Sequence, residues 1–155
     1  MMRCPTIISG GQAGADRAAL DWAIEHGVPH GGWCPAGRRA EDGPLDARYM
    51  LNETESKHYR TRTVRNVTDS DATLILNMGE LAGGSLETFR IAERRGKPVR
   101  VVQMEDALTD EALTDLRAWI ERNAPKALNI AGPRESKQPD TYGAALALLR
   151  RLFKL

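Results

Sequence analysis

Residues 6–34 read TIISGGQAGADRAALDWAIEHGVPHGGWC, and the punctuation of that stretch decides the fold class. Thr6-Ile7-Ile8-Ser9 is a short β-branched run that stops at Gly10-Gly11. Asp16 to His26 then carries Ala19, Leu20, Ala23 and Ile24 on one face at helical spacing, with Gly27 placed as its left-handed terminator. His30 to Cys34, closed by Pro35, reads as a second short strand. Strand, glycine loop, helix, strand is the opening of an α/β unit.

The remainder of the chain repeats the alternation. Ala72 to Asn77 is a near-continuous apolar run, as expected of a central parallel strand covered on both faces. A second glycine loop follows at Gly79 to Gly84, then a helix that Ser85 can cap, with Leu86, Phe89 and Ala92 as its inner stripe and Gly96 and Pro98 as its stop. Val99 to Gln103 is a fourth strand. Thr109 begins a helix with Asp110 and Glu111 in the first turn and Leu113, Leu116 and Ile120 as its stripe. Ala127 to Ala131 is a fifth strand, and the last helix runs from about Pro139 to Phe153, burying Tyr142, Leu146 and Leu149. Tyr59 to Thr68 reads as the helix joining the second and third strands, although its threonines and valines weaken helix propensity.

The expectation is one Rossmann-like domain over residues 1–155: a doubly wound, three-layer α/β/α fold around a mostly parallel sheet of about five strands. Strand order 2-1-3-4-5 would set the first and third strands side by side at the topological switch point. Both of those strands end in glycine loops. Ala36 to Lys57, rich in Gly, Pro and mixed charge, is longer than an ordinary connection and suits a binding loop, a lid or an oligomer contact.

Composition narrows the function classes. Lys and Arg number 22 against 21 Asp and Glu, so no global field attracts nucleic acid or a membrane surface. Aromatics, at 5%, are too scarce for a single-strand stacking platform. The start, Met1-Met2-Arg3-Cys4-Pro5, lacks the apolar region of a signal peptide, and no apolar stretch approaches a membrane span. Cys4 and Cys34 follow no metal spacing and read as free thiols, so a cytoplasmic location is expected. His26, His30 and His58 have no ligand spacing either, and no Ser/His/Asp arrangement presents itself.

The chemistry lies in the loops. Glycines at 10, 11 and 14 let backbone N–H groups approach a ligand, and the helix behind them adds unpaired donors and a favourable dipole for an anion. The pattern is neither G-x-G-x-x-G nor Walker A, which disfavours ATP hydrolysis. The same glycines can instead serve only a tight turn. Gly83-Gly84-Ser85 at a second helix start favours anion binding. Asp16 either caps the helix or meets a ribose hydroxyl, a ring N–H or an arginine; Gln12 either touches a ligand or is exposed. Arg38 and Arg39 in the long loop can close over a phosphate or stay solvated, and Arg134 after the fifth strand lies on the same edge. Trp33 can stack on a ring or sit in the core, and Cys34 can meet a soft metal or be a buried thiol.

On three stretches the chain closely resembles the molybdenum cofactor carrier family. The first is Ile8-Ser9-Gly10-Gly11-Gln12-Ala13-Gly14-Ala15-Asp16-Arg17-Ala18-Ala19-Leu20; the second is Gly31-Gly32-Trp33-Cys34-Pro35 with Gly37 to Gly43. The third comprises the shorter pieces Asp69 to Leu76, Ala82 to Ser85 and Asn129 to Arg134. That family is similar to the lysine-decarboxylase-like, SLOG-type Rossmannoid proteins that bind nucleotides or nucleotide-derived ligands. The resemblance implies a homo-oligomer, dimer or tetramer, with a ligand at the carboxyl edge of the sheet. Molybdenum cofactor, a pterin phosphate carrying molybdate, is the implied cargo, and a nucleotide or other phosphorylated ligand is the alternative. Related phosphoribohydrolases carry Pro-Gly-Gly-x-Gly-Thr-x-x-Glu where this chain has Ala82-Gly83-Gly84-Ser85-Leu86-Glu87-Thr88-Phe89-Arg90. The carboxylate of that motif is replaced by Arg90, which leaves Glu87 and Asp16 as substitute acid/base candidates and favours binding over catalysis. N-glycosidic cleavage of a nucleotide, or a nucleotide-sensing module, are the competing readings.

Overall fold

The computed structural model describes residues 3–154, so Met1 and Met2 of the N-terminal reading lie outside the described residues. Chain order is β1 (Thr6–Ile8), α1 (Ala15–Glu25), β2 (His30–Gly31), β3 (Trp33–Cys34), β4 (Asn52–Glu53), α2 (Tyr59–Asp69) and β5 (Ala72–Asn77). Then come α3 (Gly83–Arg94), β6 (Val99–Gln103), α4 (Asp110–Asn123), β7 (Ala127–Ala131) and α5 (Thr141–Leu152). The α/β architecture with a five-stranded parallel sheet is as expected. Local chemistry accounts for the boundaries. Gly27 takes φ 65° after α1, Thr109 Oγ1 accepts from the Ala112 N–H at the start of α4, and Ala124 closes that helix in the left-handed region.

The second strand is broken in two. Gly32 bends the chain at φ 129°, in a position where a Cβ would strike the Ser9 carbonyl oxygen. β2 therefore pairs with β1, while β3 leaves the sheet and pairs with β4 from the long loop.

Strand order is the larger correction. The sheet runs β2-β1-β7-β5-β6, so the fifth strand lies between the first and the third, and the 2-1-3-4-5 order does not hold. Ile7 pairs with Leu128 on one side of β7, and Leu74 with Ile130 on the other. Side chains explain the placement. β7 is uncharged, Leu128 and Ile130 are fully buried, and Asn129 donates to Thr73 Oγ1 across the strands at 3.3 Å. β6 carries Arg100, paired at the surface with Asp115, and has the profile of an edge. Numbered as though the chain began at β7, the order reads 3-2-1-4-5, the Rossmann order, and the winding reverses between β7 and β5.

The sheet separates two helical layers. α1, α4 and α5 share the main core, in which Trp22, Leu116, Ile120, Leu148 and Leu149 pack against β1, β5 and β7. On the other face Val67 of α2 meets Ile91 and Ala92 of α3. Residues 36–51 fold back on α1, where Ala40, Leu45, Tyr49 and Leu51 cover Leu20 and Cys34. No helix among the described residues is long and apolar enough to cross a membrane.

Candidate functional site

A cavity of about 290 Å³ opens at the carboxyl edge of the sheet, above the ends of β7 and β5 and between α2 and α3. Open α/β sheets bind ligands where the winding reverses, and that point lies here between β7 and β5. The β5 side supplies Asn77 and the start of α3 (Ala82 to Ser85). Ala131 to Arg134 form the floor, α2 contributes Tyr59, Arg60, Arg62 and Thr63, and Gln12 and Asp16 approach from the β1 side.

The two glycine loops have opposite character. The Gly83-Gly84 pair is open: a Cβ on Gly84 would meet nothing within 4 Å, and one on Gly83 would meet only the Lys137 ammonium at 3.7 Å. Ala82 takes the N-cap position and no side chain caps α3, so its first-turn N–H groups and the dipole face the cavity wall. Ser85 lies inside the first turn instead of capping it. The inner face of α3 is Ser85, Thr88, Ile91 and Ala92, with Leu86 and Phe89 half-buried; the expected stripe is shifted because this face begins polar where it borders the cavity.

The first loop is filled by the protein itself. The Gly11 N–H donates to Ser9 Oγ (3.2 Å), Gln12 N–H to Asp16 Oδ2 (3.3 Å) and Ala13 N–H to Gln12 Oε1 (3.1 Å). Gly10 lies against the Arg62 guanidinium, Gly11 against Leu45 and Leu51, and Gly14, at φ 111°, against the backbone of Pro133 to Glu135. These three glycines permit close packing and do not line the main cavity. Asp16 braces the loop from within: its carboxylate pairs with Arg62 Nη1 at 2.9 Å, both side chains nearly buried. Burial pushes the Asp16 carboxyl up, against the pull of Arg62 and of the Gln12 N–H.

Arg38 and Arg39 do not reach the cavity. Arg38 donates to the carbonyls of Leu45, Asp46, Tyr49 and Leu51 and so pins the long loop together. Arg39 donates to the Lys57 carbonyl and lies 4.6 Å from the Tyr59 ring centre. Trp33 donates to Asp69 at 2.9 Å, and Cys34 is buried beside α1, its thiol pushed up by burial and away from the cavity. The cavity brings together Gln12, Asp16, Gly83, Gly84, Ser85 and Arg134, with Glu87 on its rim paired to Arg60 at 2.8 Å.

Several lining residues escaped the sequence reading, Tyr59, Arg62, Asn77 and Lys137 among them. Arg62 and Arg134 flank the Tyr59 ring at 5.6 and 5.1 Å. A signal existed for α2: Tyr59, Arg62, Thr63 and Asn66 recur at helical spacing, a polar stripe facing inward, where a purely structural helix would present apolar residues. Four residues that line the cavity leave buried polar atoms without a partner: Gln12 Nε2, Arg62 Nε, Asn77 Oδ1 and Ser85 Oγ. Such atoms are costly unless something satisfies them.

Fold and cavity together define a Rossmann-like α/β protein with a polar cavity at the carboxyl edge of its sheet. The chain belongs to the circularly permutated YpsA SLOG family, whose family model matches residues 7–153. It is similar to the crystal structure from Syntrophus aciditrophicus SB named "Putative molybdenum carrier protein", with 44% identity, 99% of this chain and 97% of that chain covered, and a TM-score of 0.94. No protein of curated function matches it.

Proposed function

We infer that the cavity holds a phosphate-bearing small molecule and that the protein binds and carries it, with molybdenum cofactor as the named cargo. The observation that carries this reading is the convergence on one cavity of an uncapped helix start, an open Gly83-Gly84 pair and four buried polar atoms without partners. The phosphate belongs at the start of α3, where Gly83, Gly84 and Ser85 supply N–H groups and Lys137 and Arg134 add charge. The organic part extends over the end of β7 toward Gln12 and Tyr59. A pterin phosphate suits this donor set at both ends. The lining holds no Cys or His, so the molybdenum would stay on its organic host, without a thiolate or imidazole ligand from the protein. The name of the Syntrophus protein supports the same cargo.

Native mass spectrometry of freshly purified protein, followed by denaturation and identification of the released molecule, tests the reading. A pterin phosphate with molybdenum by elemental analysis supports it. Release of free base from a nucleotide panel, lost in Glu87→Gln, would turn the assignment to N-glycosidic cleavage.

A further inference from the structure

Three of the four unpartnered atoms around the cavity are sorted by side, with a hydrogen-bonding sense that the protein fixes; the fourth, the Ser85 hydroxyl, can act either way. Gln12 Oε1 accepts from two backbone donors, the Ala13 N–H at 3.1 Å and the Glu41 N–H at 2.8 Å. That leaves Nε2, a donor only, without a partner. Arg62 places Nη1 on Asp16, and its unpartnered Nε is likewise a donor under every condition. Both residues belong to the β1–α2 side. Asn77 is fixed in the opposite sense: its Nδ2 donates to the Gly79 carbonyl at 3.0 Å and to Gln103 Oε1 at 2.6 Å, so its free atom is the acceptor Oδ1. Asn77 ends β5, two strands away from β1 across β7, a separation of roughly 10 Å at ordinary strand spacing.

Backbone donors and carbonyls therefore dictate a polarity that neither amide can reverse by flipping. We propose that the β1 side of the cavity selects head groups that present hydrogen-bond acceptors, carbonyl or oxo oxygens, and rejects those that present amino groups, while Asn77 takes a hydroxyl or N–H near the phosphate end. The proposal rests on the phosphate-ester reading above and deepens it, because the helix start recognises a phosphate without regard to what it carries. An amino group brought against Gln12 Nε2 and Arg62 Nε sets donor against donor and leaves both buried atoms unsatisfied. An oxo group satisfies them. An amino group that reached the second Asp16 oxygen, the first being held by Arg62 and the Gln12 N–H, would still leave Gln12 Nε2 and Arg62 Nε unsatisfied.

Three probes of one scaffold separate the terms: inosine 5′-monophosphate, adenosine 5′-monophosphate and ribose 5-phosphate, titrated calorimetrically into the full chain. The first two differ along one edge, where a 6-oxo group and an N1–H stand in place of a 6-amino group and a bare N1, and the third has no head group. The expected result is inosine monophosphate binding at least about tenfold more tightly than adenosine monophosphate, the value of one satisfied buried donor. The adenosine compound should bind no better than ribose 5-phosphate. In Gln12→Glu, which replaces the free donor by an acceptor of the same shape, the ratio should fall to about one or invert. Because the readout is a ratio on one protein sample, partial loss of folded material does not imitate it. Equal affinities for the two nucleotides in the wild-type protein overturn the polarity inference and leave the phosphate reading standing. Binding of none of the three overturns both.

Discussion

Gly14 and Gly84 are indistinguishable as residue types before helices, yet they answer to different physics. Gly14 has a positive φ and its missing side chain is replaced by the backbone of the loop after β7, with Glu135 N 2.8 Å from where a Cβ would stand. Gly84 has ordinary helical backbone and open space. Gly14→Ala should therefore destabilise the fold by about 2–3 kcal/mol. Gly84→Ala should stabilise it by about 0.5 kcal/mol through the unfolded chain. Gly84→Leu, filling the cavity mouth, should weaken binding of ribose 5-phosphate by at least about tenfold with no loss of melting temperature. Chemical denaturation and calorimetric titration read the two effects separately, and a Gly84→Leu protein that binds normally would remove the helix start from the site. Sequence could not sort these glycines. The discriminating fact is what stands opposite each of them, Pro133 to Glu135 in one case and open space in the other, and that neighbour lies about 120 residues further along the chain or is absent altogether.

Helices and strands were mostly legible because periodicity reports burial directly. β5, β6 and β7 begin and end where their apolar runs do, and the α4 stripe of Leu113, Leu116 and Ile120 is buried as its spacing implies. Phase was lost where burial is polar, as in α3, whose inner face starts with Ser85 and Thr88. The tie between α1 and α5 was equally invisible. Asp21 accepts from the Tyr142 hydroxyl at 2.5 Å, from the Tyr49 hydroxyl at 2.6 Å and from Arg48 at 2.8 Å, joining two helices and the long loop. Burial, then the bond to Asp21, pushes the Tyr142 phenol up to about 12 from an ordinary 10.0. The fold thus prefers the protonated phenol. The stability this contributes is complete below about pH 10 and disappears as pH rises through about 12. Tyr142→Phe should lower stability by about 1 kcal/mol at neutral pH and make the alkaline decline shallower, with Tyr49, raised for the same reasons, supplying what remains. Urea denaturation from pH 8 to 11.5 tests this; an unchanged alkaline slope would contradict it.

At the scale of the molecule, fold class was readable and strand order was not, because alternation fixes layers without fixing neighbours. The clue lay in contrast: Ala127–Ala131 is free of charge while Val99–Gln103 carries Arg100, and an interior strand is the one that can hold no charge. Moving β7 from the far edge of the expected order to the centre also moved the switch point, and with it the cavity, from between the two glycine loops to the second of them. Since the order becomes 3-2-1-4-5 when β7 is counted first, a chain opened at Ala124, with residue 155 joined to residue 1 by a flexible linker, should keep every strand pairing. It is expected to show the circular dichroism of the parent, cooperative unfolding and unchanged affinity for ribose 5-phosphate. A molten or aggregated product would show that the present connection order is itself required.

The register of β7 also bears on how the protein comes to exist on a ribosome. The strand that joins the two halves of the sheet is made from residues 127–131 and pairs with residues 6–8 on one side and 72–75 on the other. Until it emerges, the nascent chain holds two separate strand pairs, each with an unsatisfied inner edge, and neither can substitute for the missing partner. Ala131 to Arg134, the floor of the cavity, arrive with it. The cavity therefore does not exist on a chain that has yet to make β7, and any ligand of that cavity would find its floor only after residue 134 has left the ribosome.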